Sequence, residues 1–450
     1  MPERTEVATA RLAIHLAAPP NWSFVGGDTI IGTVVRQSHL VCADATVAIK
    51  LVGRAKSKIV VHQNNNRYEY RGRFHFFGGA AAADVERTIH RGPIHVPPGG
   101  DALAWPFSIK IPTSPMMSPV SGSMRRCSLL PMTAEDLARH MLPGTFRSEG
   151  TGFSRRSECY VEYYLEASLH RGHGRGHGSS AEVMATLPVL MRHPSTDQPV
   201  TNHRLLRKSW PRTVQSHRLL PGQESGQLSF KQKSQKFFGS SKVPRLDFDL
   251  QVTVPQIVQL DHPVTIPIQL LAIPKAGTSA GSVELNHVTH QVTLSSIKLT
   301  LRSTTTAIAP GTWPSRSHRD ERSVSRDLGL ERATQRPEEP IVVPFGPGDG
   351  PIDTIYPSFT TYNVKHTNSW KWTVVYSVAG ETMKLLFDMP VTILPPPESR
   401  LRWAEPRQVA IAPPEEPPPP FEPSLADDSK AAGLNKDAKK LETDVGMDGE

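Results

Sequence analysis

The chain has 450 residues, 38% of them apolar, and a mean hydropathy of −0.35, which together suit a globular protein of two or three domains. Its 42 prolines and 32 glycines favour short strands and loops over long helices, so we expect an all-β fold. No run of about 18 apolar residues occurs, which leaves only peripheral or partner-mediated membrane association. The three cysteines, an odd and sparse set, indicate a reduced cytosolic setting.

The formal net charge of +8 is unevenly distributed along the chain. Residues 396–450 contain twelve acidic and seven basic residues, so this tail has a net charge of −5 and the rest of the chain +13. A basic body can attract anionic lipid, phosphorylated segments or nucleic acid, and an acidic tail can compete for the same surface. Charge alone does not choose among these partners.

Alternating apolar residues predict a series of strands in the first half of the chain. Two of these strands flank the polar turn at 63–66 and therefore predict a hairpin. An insertion is expected at 113–157, where Thr133 and Asp136 resemble a capping box that begins a short helix. The predicted strands are residues 12–16, 28–35, 45–53, 58–62, 68–74, 105–112 and 159–169.

A second series of strands follows residues 194–244, which are polar and basic and predict a linker between two domains. We expect one β-sandwich over residues 8–193 and another over residues 245–395. A charged, Ser- and Arg-rich stretch at 310–340 predicts a disordered insertion, and residues 396–450 predict a disordered, proline-rich acidic tail. The strands predicted in the second half are residues 245–254, 263–271, 288–301, 369–376 and 384–394.

Basic residues at period two mark the predicted hairpin of the first half. Arg54, Lys56 and Lys58 would lie on one face of a strand, and Arg71 and Arg73 belong to the opposite arm. These five residues are candidates for binding an anionic segment of a cargo protein. The alternative is a solvated sheet edge whose charges prevent aggregation, and the sequence leaves both interpretations open.

Other reactive side chains give weaker signals. His170, His173 and His177 could bind zinc, copper or nickel, but they lie in a Gly-rich segment without a nearby cysteine or carboxylate, so a flexible loop explains them better and no cofactor is expected. Cys127 follows two arginines and has no assignable catalytic partner. The sequence has no Walker loop, Gly-x-Ser-x-Gly or His-Glu-x-x-His motif and no RNA-binding signature, so we expect neither an enzyme nor a nucleic-acid-binding protein.

Several short motifs occur along the chain in a fixed order. In the first half they are Gly27-Asp-Thr-Ile-Ile-Gly-Thr-Val34, Val47-Ala-Ile-Lys-Leu-Val-Gly53, Trp105-Pro-Phe107, Leu142-Pro-Gly-Thr-Phe146 and Tyr160-Val-Glu-Tyr-Tyr-Leu165. In the second half they are Pro357-Ser-Phe-Thr-Thr361, a Trp-rich strand and Pro390-Val-Thr-Ile-Leu394. This order resembles the two domains of arrestins, above all of the α-arrestins that are abundant in fungi. The resemblance implies two tandem immunoglobulin-like antiparallel β-sandwiches, the arrestin fold.

The resemblance also implies a function. An arrestin-like protein of this type is a cytosolic adaptor that binds cytosolic regions of membrane transporters or receptors and links them to ubiquitin ligase and endocytic trafficking machinery. It would be recruited peripherally to the plasma membrane or endosomes, where its basic faces could also meet an anionic membrane surface. The alternative is a retromer-like structural trafficking scaffold, which shares the fold and recruits no ligase.

The proline-rich tail bears on this choice. In α-arrestins a Pro-Pro-x-Tyr motif recruits the WW domains of a HECT-type ubiquitin ligase. Here Pro418, Pro419, Pro420 and Phe421 supply the prolines and an aromatic ring but no phenol hydroxyl. Weak WW binding, another proline-reading module and a plain spacer therefore stay open, and the missing hydroxyl favours the scaffold alternative.

Overall fold

The structure is a computed structural model. It describes residues 11–64, 66–77, 82–116, 128–130, 133–152, 154–171, 183–220, 222–223, 226–238, 243–260, 264–266, 270–274, 279–280, 283–284, 292–311, 317–327, 332–335, 341–343 and 355–398.

Strands dominate the first half of the chain. Within the described residues, two short helices, Ala82–Val85 and Ala134–Leu137, interrupt them, and Thr133 caps the second helix as the sequence predicts. The strands described in this half are β1 Ala13–Leu16, β2 Ser23–Phe24, β3 Thr29–Arg36, β4 Leu40–Gln63, β5 Asn66–His75, β6 Glu86–Val96, β7 Leu103–Lys110, β8 Phe146–Thr151, β9 Arg155–Arg171 and β10 Val183–Met191.

The second half is also built from strands. A 3₁₀ turn at His217–Leu219 and a helix at Phe230–Phe237 lie between its first two strands. The strands described here are β11 Leu205–Gln215, β12 Arg245–Pro255, β13 Ile257–Gln259, β14 Val264–Ile266, β15 Leu270–Pro274, β16 Ser279–Ala280, β17 Val283–Glu284, β18 Val292–Pro310, β19 Ser317–Asp327, β20 Arg332–Gln335, β21 Ile341–Val343, β22 Phe359–Thr360, β23 Val364–Val378 and β24 Glu381–Leu394.

The two halves repeat one arrangement of sheets. The first half has a three-stranded sheet in the order β1-β3-β7 and a seven-stranded sheet that follows β2-β10-β9-β4-β5, with β6 on β4 and β8 on β9. The second half has β11-β12-β15 and β13-β24-β23-β18-β19, with β20 on β18 and β22 on β23. In both halves the short first strand of the larger sheet, β2 or β13, pairs in parallel with its neighbour. The other strand pairs of that sheet are antiparallel. The predicted all-β fold is confirmed.

Each half has its own hydrophobic core, which lies between its three-stranded and its seven-stranded sheet. The strands alternate buried and exposed residues, so one face of each sheet is apolar. In the first core the buried residues include Ile30, Val34, Trp105, Phe107, Val47, Ile49, Leu51, Val161 and Leu165. In the second core they include Phe248, Leu250, Leu299, Leu301, Trp370, Trp372, Val374 and Ile393.

The motifs of the first half make this core possible. Gly27 has a φ of 99° and Asp28 accepts the backbone N–H of Val25 at 2.9 Å, so the Gly-Asp pair forms the turn that leads into β3. The hydroxyl of Tyr163 donates to the carbonyl of Pro143 at 2.8 Å. The Leu-Pro and Tyr-Val-Glu-Tyr motifs therefore contact each other, although the sequence places them far apart.

Several segments differ from the organisation expected from the sequence, among them β20 within the expected insertion at 310–340 and the helix Phe230–Phe237 within the expected linker. Residues 205–215, expected within the linker, form β11 and pair with β12 along its whole length. Residues 146–151 and 317–327, expected within insertions, form β8 and β19. β11 and β19 are edge strands, and β8 pairs along only part of β9. Their residues are therefore mostly polar, and the sequence shows no apolar alternation at these positions. The domain boundaries themselves stay a prediction.

The two halves meet through a buried hydrogen-bonded junction. The hydroxyl of Ser57 in β4 donates to the carbonyl of Ile308 in β18 at 2.5 Å and accepts from the Asn363 amide at 2.9 Å. The backbone N–H of Ile308 donates to the carbonyl of Asn363 at 2.9 Å. Gly72, opposite Ser57 in the β4–β5 ladder, leaves room for this approach, because a Cβ there would lie 2.6 Å from the Ser57 hydroxyl.

A cluster of aromatic rings and two histidines spans the same boundary between the halves. The Phe359 ring lies 5.2 Å from the His193 ring and 6.0 Å from the His366 ring, measured between centroids, and Phe146 of the first half lies 5.2 Å from His366. The Nε2 atoms of both histidines are buried and have no hydrogen-bond partner within the described residues. Burial lowers the pKa of each histidine to about 4, and the charge of His366 also lowers the pKa of His193.

We therefore expect the folded protein to lose stability as the pH falls from about 6.5 to 4, because the unfolded chain binds protons to these histidines in a range where the folded chain does not. A shift of this size corresponds to about 3 kcal/mol for His366 alone. Urea unfolding at several pH values measures the effect. His366→Asn should flatten the pH dependence and the exposed His62→Asn should not; equal slopes for the two variants would contradict the assignment.

Candidate functional site

The five candidate cations lie on the face of the first seven-stranded sheet that is turned away from the core. In the β4–β5 ladder, Lys56 is opposite Arg73 and Lys58 is opposite Arg71, and directly opposite residues share a face. Glu162 of β9 is opposite Arg54 and joins the same face. We call this surface the cation face; it comprises Arg54, Lys56, Lys58, Arg71, Arg73, His75, Tyr160, Glu162 and Tyr164.

Glu162 is the centre of a buried charge cluster on the cation face. Its Oε1 accepts a hydrogen bond from Arg54 Nε and lies 2.8 Å from Lys56 Nζ, and all three side chains are buried. The Arg54 guanidinium lies over the Tyr164 ring and the Lys56 ammonium over the Tyr160 ring, each 4.9 Å from the ring centroid. The carboxylate and the two rings thus compensate two cations that the sheet buries.

The pKa of Lys56 reflects this environment. Burial lowers it below its usual value, the hydrogen bond and charge of Glu162 oppose that shift, and the charges of Arg54 and Arg73 lower it further. The charged form of Lys56 is therefore stabilised by the carboxylate of Glu162, which Lys56 shares with Arg54.

The cations nearer the edge of the sheet are more accessible. Lys58 Nζ lies 3.4 Å from Glu69 Oε1, Arg71 donates to the same oxygen, and Arg67 lies 3.5 Å from the other oxygen. Arg71 and Arg73 are exposed, and Arg73 forms no ion pair within the described part of the chain. This edge therefore carries more positive than negative charge.

The pKa of His75 indicates the sign of the electrostatic potential at the cation face. Burial lowers its pKa, and the charges of Arg54, Arg73, Lys50 and Lys56 lower it further. Four cations act on one imidazole, whose protonated form they repel. The face is therefore electropositive even though Glu162 and Glu69 compensate part of its charge.

An apolar groove opens at the β1–β10 edge of the first half, across the sheet from β5. Its volume is about 880 Å³, and it runs along β1, the following loop and β10. Glu162 lines it too, so the groove and the buried charge cluster are neighbours. Trp22 and Leu190 are about half exposed at its rim. The apolar lining includes Ile14, Leu16, Trp22, Tyr163, Leu187 and Leu190.

The structure sorts the predicted residues into two groups. Arg54 and Lys56 are buried with Glu162, whereas Lys58 is half-buried and Arg71 and Arg73 are exposed. Glu162, His75 and the groove were not predicted from the sequence. Glu162 could have been found, since it lies inside the Tyr-Val-Glu-Tyr motif on the polar side of a strand. Whether the cation face binds anions stays a prediction.

Several other candidates lie outside the described residues, namely Cys127, His173, His177 and the tail motif at Pro418, Pro419, Pro420 and Phe421. Among the residues that are described, no group of three or more His, Cys, Asp or Glu side chains could hold a metal ion. No helix in the described part of the chain is long and apolar enough to cross a membrane.

Comparison with protein-family models finds no match for this chain, and comparison with curated proteins finds none either. The proposed function therefore rests on the geometry of the described residues and on the order of the sequence motifs.

We expect Glu162→Gln to destabilise the fold, because it leaves Arg54 and Lys56 buried without their shared carboxylate. Removal of one partner from a buried ion pair costs about 3–5 kcal/mol of unfolding free energy. Glu69→Gln is the matched control, since Glu69 also bridges cations but lies at the solvent, and its loss should cost about 1 kcal/mol or less. Urea unfolding of both variants decides; equal losses would show that the buried cluster is not a stabilising centre.

Proposed function

We propose that this protein is a non-catalytic, arrestin-like adaptor that binds cytosolic regions of membrane transporters or receptors. The observation that supports the proposal is the cation face, an electropositive sheet surface with exposed arginines on its outer strand. An acidic or phosphorylated segment is the ligand that such a face suits. The order of motifs, which resembles that of arrestins, is independent support.

Binding would begin at the accessible arginines. Arg71 and Arg73 lie on the outer strand of the hairpin, and their guanidinium groups can donate two parallel hydrogen bonds to a phosphate or carboxylate. An apolar side chain further along the same segment, about three strand spacings or ~14 Å away across the sheet, could then enter the groove at Trp22. The combination selects segments that carry both negative charge and an apolar residue, which charge alone would not do.

The tail would recruit the second partner. A proline-rich segment is already extended, so it binds aromatic-lined grooves at low entropic cost, and a tethered motif raises the effective concentration of its partner near the cargo. Phe421 takes the place at which α-arrestins have tyrosine. The adaptor then brings a WW-domain HECT ubiquitin ligase and endocytic machinery to the plasma membrane or endosomes.

The cargo step is tested with Arg71→Glu/Arg73→Glu. We expect the double variant to bind a synthetic peptide with several phosphoserines about tenfold or more weakly than the parent chain, since each charge-assisted hydrogen bond contributes about 1.5–3 kcal/mol. Fluorescence anisotropy of the labelled peptide measures it. Lys371→Glu/Lys384→Glu, two exposed lysines of the second half, is the matched control with the same change in net charge. If both variants lose the same affinity, the effect is one of net charge and the cation face is not the cargo site.

The tail step is tested with purified WW domains of a HECT-type ligase and the full-length chain. Phe421→Tyr restores the missing phenol hydroxyl and should strengthen binding about tenfold, whereas Phe421→Ala should abolish it. Isothermal titration calorimetry measures both. If the parent chain and the Tyr variant both fail to bind, the ligase-adaptor function gives way to the scaffold alternative. The cargo step is unaffected by that outcome.

A further inference from the structure

Three phenylalanines are exposed on one short helix and its end. The side chains of Phe230, Phe237 and Phe238 are 89%, 84% and 78% exposed, and Phe237 and Phe238 contact each other with ring centroids 5.4 Å apart. Neither hydrophobic core includes them. Rings of this size normally drive burial, so their exposure together on one element marks an interaction surface.

The helix is specified locally. The backbone N–H of Gln232 donates to the Ser229 hydroxyl at 3.3 Å, and the Gln232 side chain accepts from the Ser229 N–H at 2.8 Å, which is a complete capping box. Phe230 and Phe237 are seven positions apart, close to two helical turns, and therefore lie on the same side. The exposed rings are thus presented by a defined helix, which begins where its own sequence sets it.

The sequence on both sides of the helix is strongly basic. Residues 201–245 contain ten Lys and Arg and a single acidic residue, a net charge of +9, which exceeds the +8 of the whole chain. Lys231 and Lys233 of the helix are exposed, and so are Arg207 and Lys208 of β11, the strand that precedes it. The helix itself has three lysines and no acidic residue. A partner of this surface must be anionic and must also accept aromatic rings.

We propose that this segment, which we call the basic helix (Phe230–Phe237 with Phe238), is a peripheral binding site for anionic lipid bilayers. The rings would enter the boundary between headgroups and acyl chains, and the lysines would meet the negative headgroups. A bilayer fits both features at once, because it takes up rings from any side of a short helix without a shaped pocket. The inference does not rest on the proposed cargo function, although it would bring the cation face to the membrane where cargo lies.

The test uses the full chain and sedimentation with vesicles. We expect the protein to bind phosphatidylcholine vesicles that contain about 30 mol % phosphatidylserine and to leave pure phosphatidylcholine vesicles unbound. Phe230→Ala/Phe237→Ala/Phe238→Ala and Lys231→Glu/Lys233→Glu should each weaken binding about tenfold or more. Ile31→Ala/Leu386→Ala, which removes exposed apolar side chains elsewhere, and Lys371→Glu/Lys384→Glu are the matched controls and should retain it.

A second measurement reports insertion directly. In Phe238→Trp the new indole should be quenched by lipids with brominated acyl chains, seen as a difference from the parent chain, and the quenching should disappear with Lys231→Glu/Lys233→Glu. Because the exchanged side chains are exposed, folding should be unchanged. The helix variants should still bind the phosphoserine peptide, which separates this inference from the cargo proposal.

Two results would overturn the inference. The first is equal vesicle binding by the parent chain and the triple Ala variant. The second is no vesicle binding by the parent chain together with helix-dependent binding of single-stranded RNA or of the phosphoserine peptide, which would assign the basic helix to that partner instead.

Discussion

The ladder between β4 and β9 is the constraint on which the first half depends. It pairs residues 45–61 with residues 171–155 without interruption, and its register decides which side chains face the core. Residues such as Val47 and Leu51 enter the core, whereas Arg54 and Lys56 lie on the opposite face. A shift by one residue would exchange the two sets, which the apolar core forbids. The same strand continues past the core, so Ser57 reaches Ile308 and joins the two halves. Core, cation face and junction thus follow from one register.

This register also explains why the cation face is stable and yet positive. It sets Glu162 directly opposite Arg54 and within 2.8 Å of the Lys56 ammonium, so two buried cations share one acceptor. Buried cations without it would carry a large desolvation cost. Because one carboxylate serves two cations, a positive excess remains, and it adds to the burial that lowers the pKa of His75. Arg71 and Arg73 lie on the next strand outward, where their desolvation on binding an anion costs less.

Much of the β architecture could be predicted from the sequence, because alternation reveals any strand with one apolar face. The strands 28–35, 105–112 and 159–169 were identified in this way, and the structure has strands there. β11 and β19 are edge strands and β8 pairs along only part of β9, so their residues are mostly polar and show no apolar alternation.

For the site, period two correctly put Arg54, Lys56 and Lys58 on one face. Their partners could not be predicted, since only the register of a strand about a hundred residues away brings Glu162 to them. The basic helix was missed because its capping box is followed by lysines and three phenylalanines that face solvent.

The distribution of charge separates the two surfaces in physical terms. Residues 1–395 have a net charge of +13, and residues 201–245 account for +9 of it, so the rest of this body has only +4. Long-range attraction therefore originates mainly around the basic helix, where exposed cations are screened beyond about 8 Å at physiological ionic strength. The cation face keeps a local positive excess, and its selectivity must come from fixed geometry, partial burial and the shared carboxylates. Attraction to a charged surface and selection of a particular segment are thus properties of different parts of the chain, and a change in ionic strength should weaken the first much more than the second.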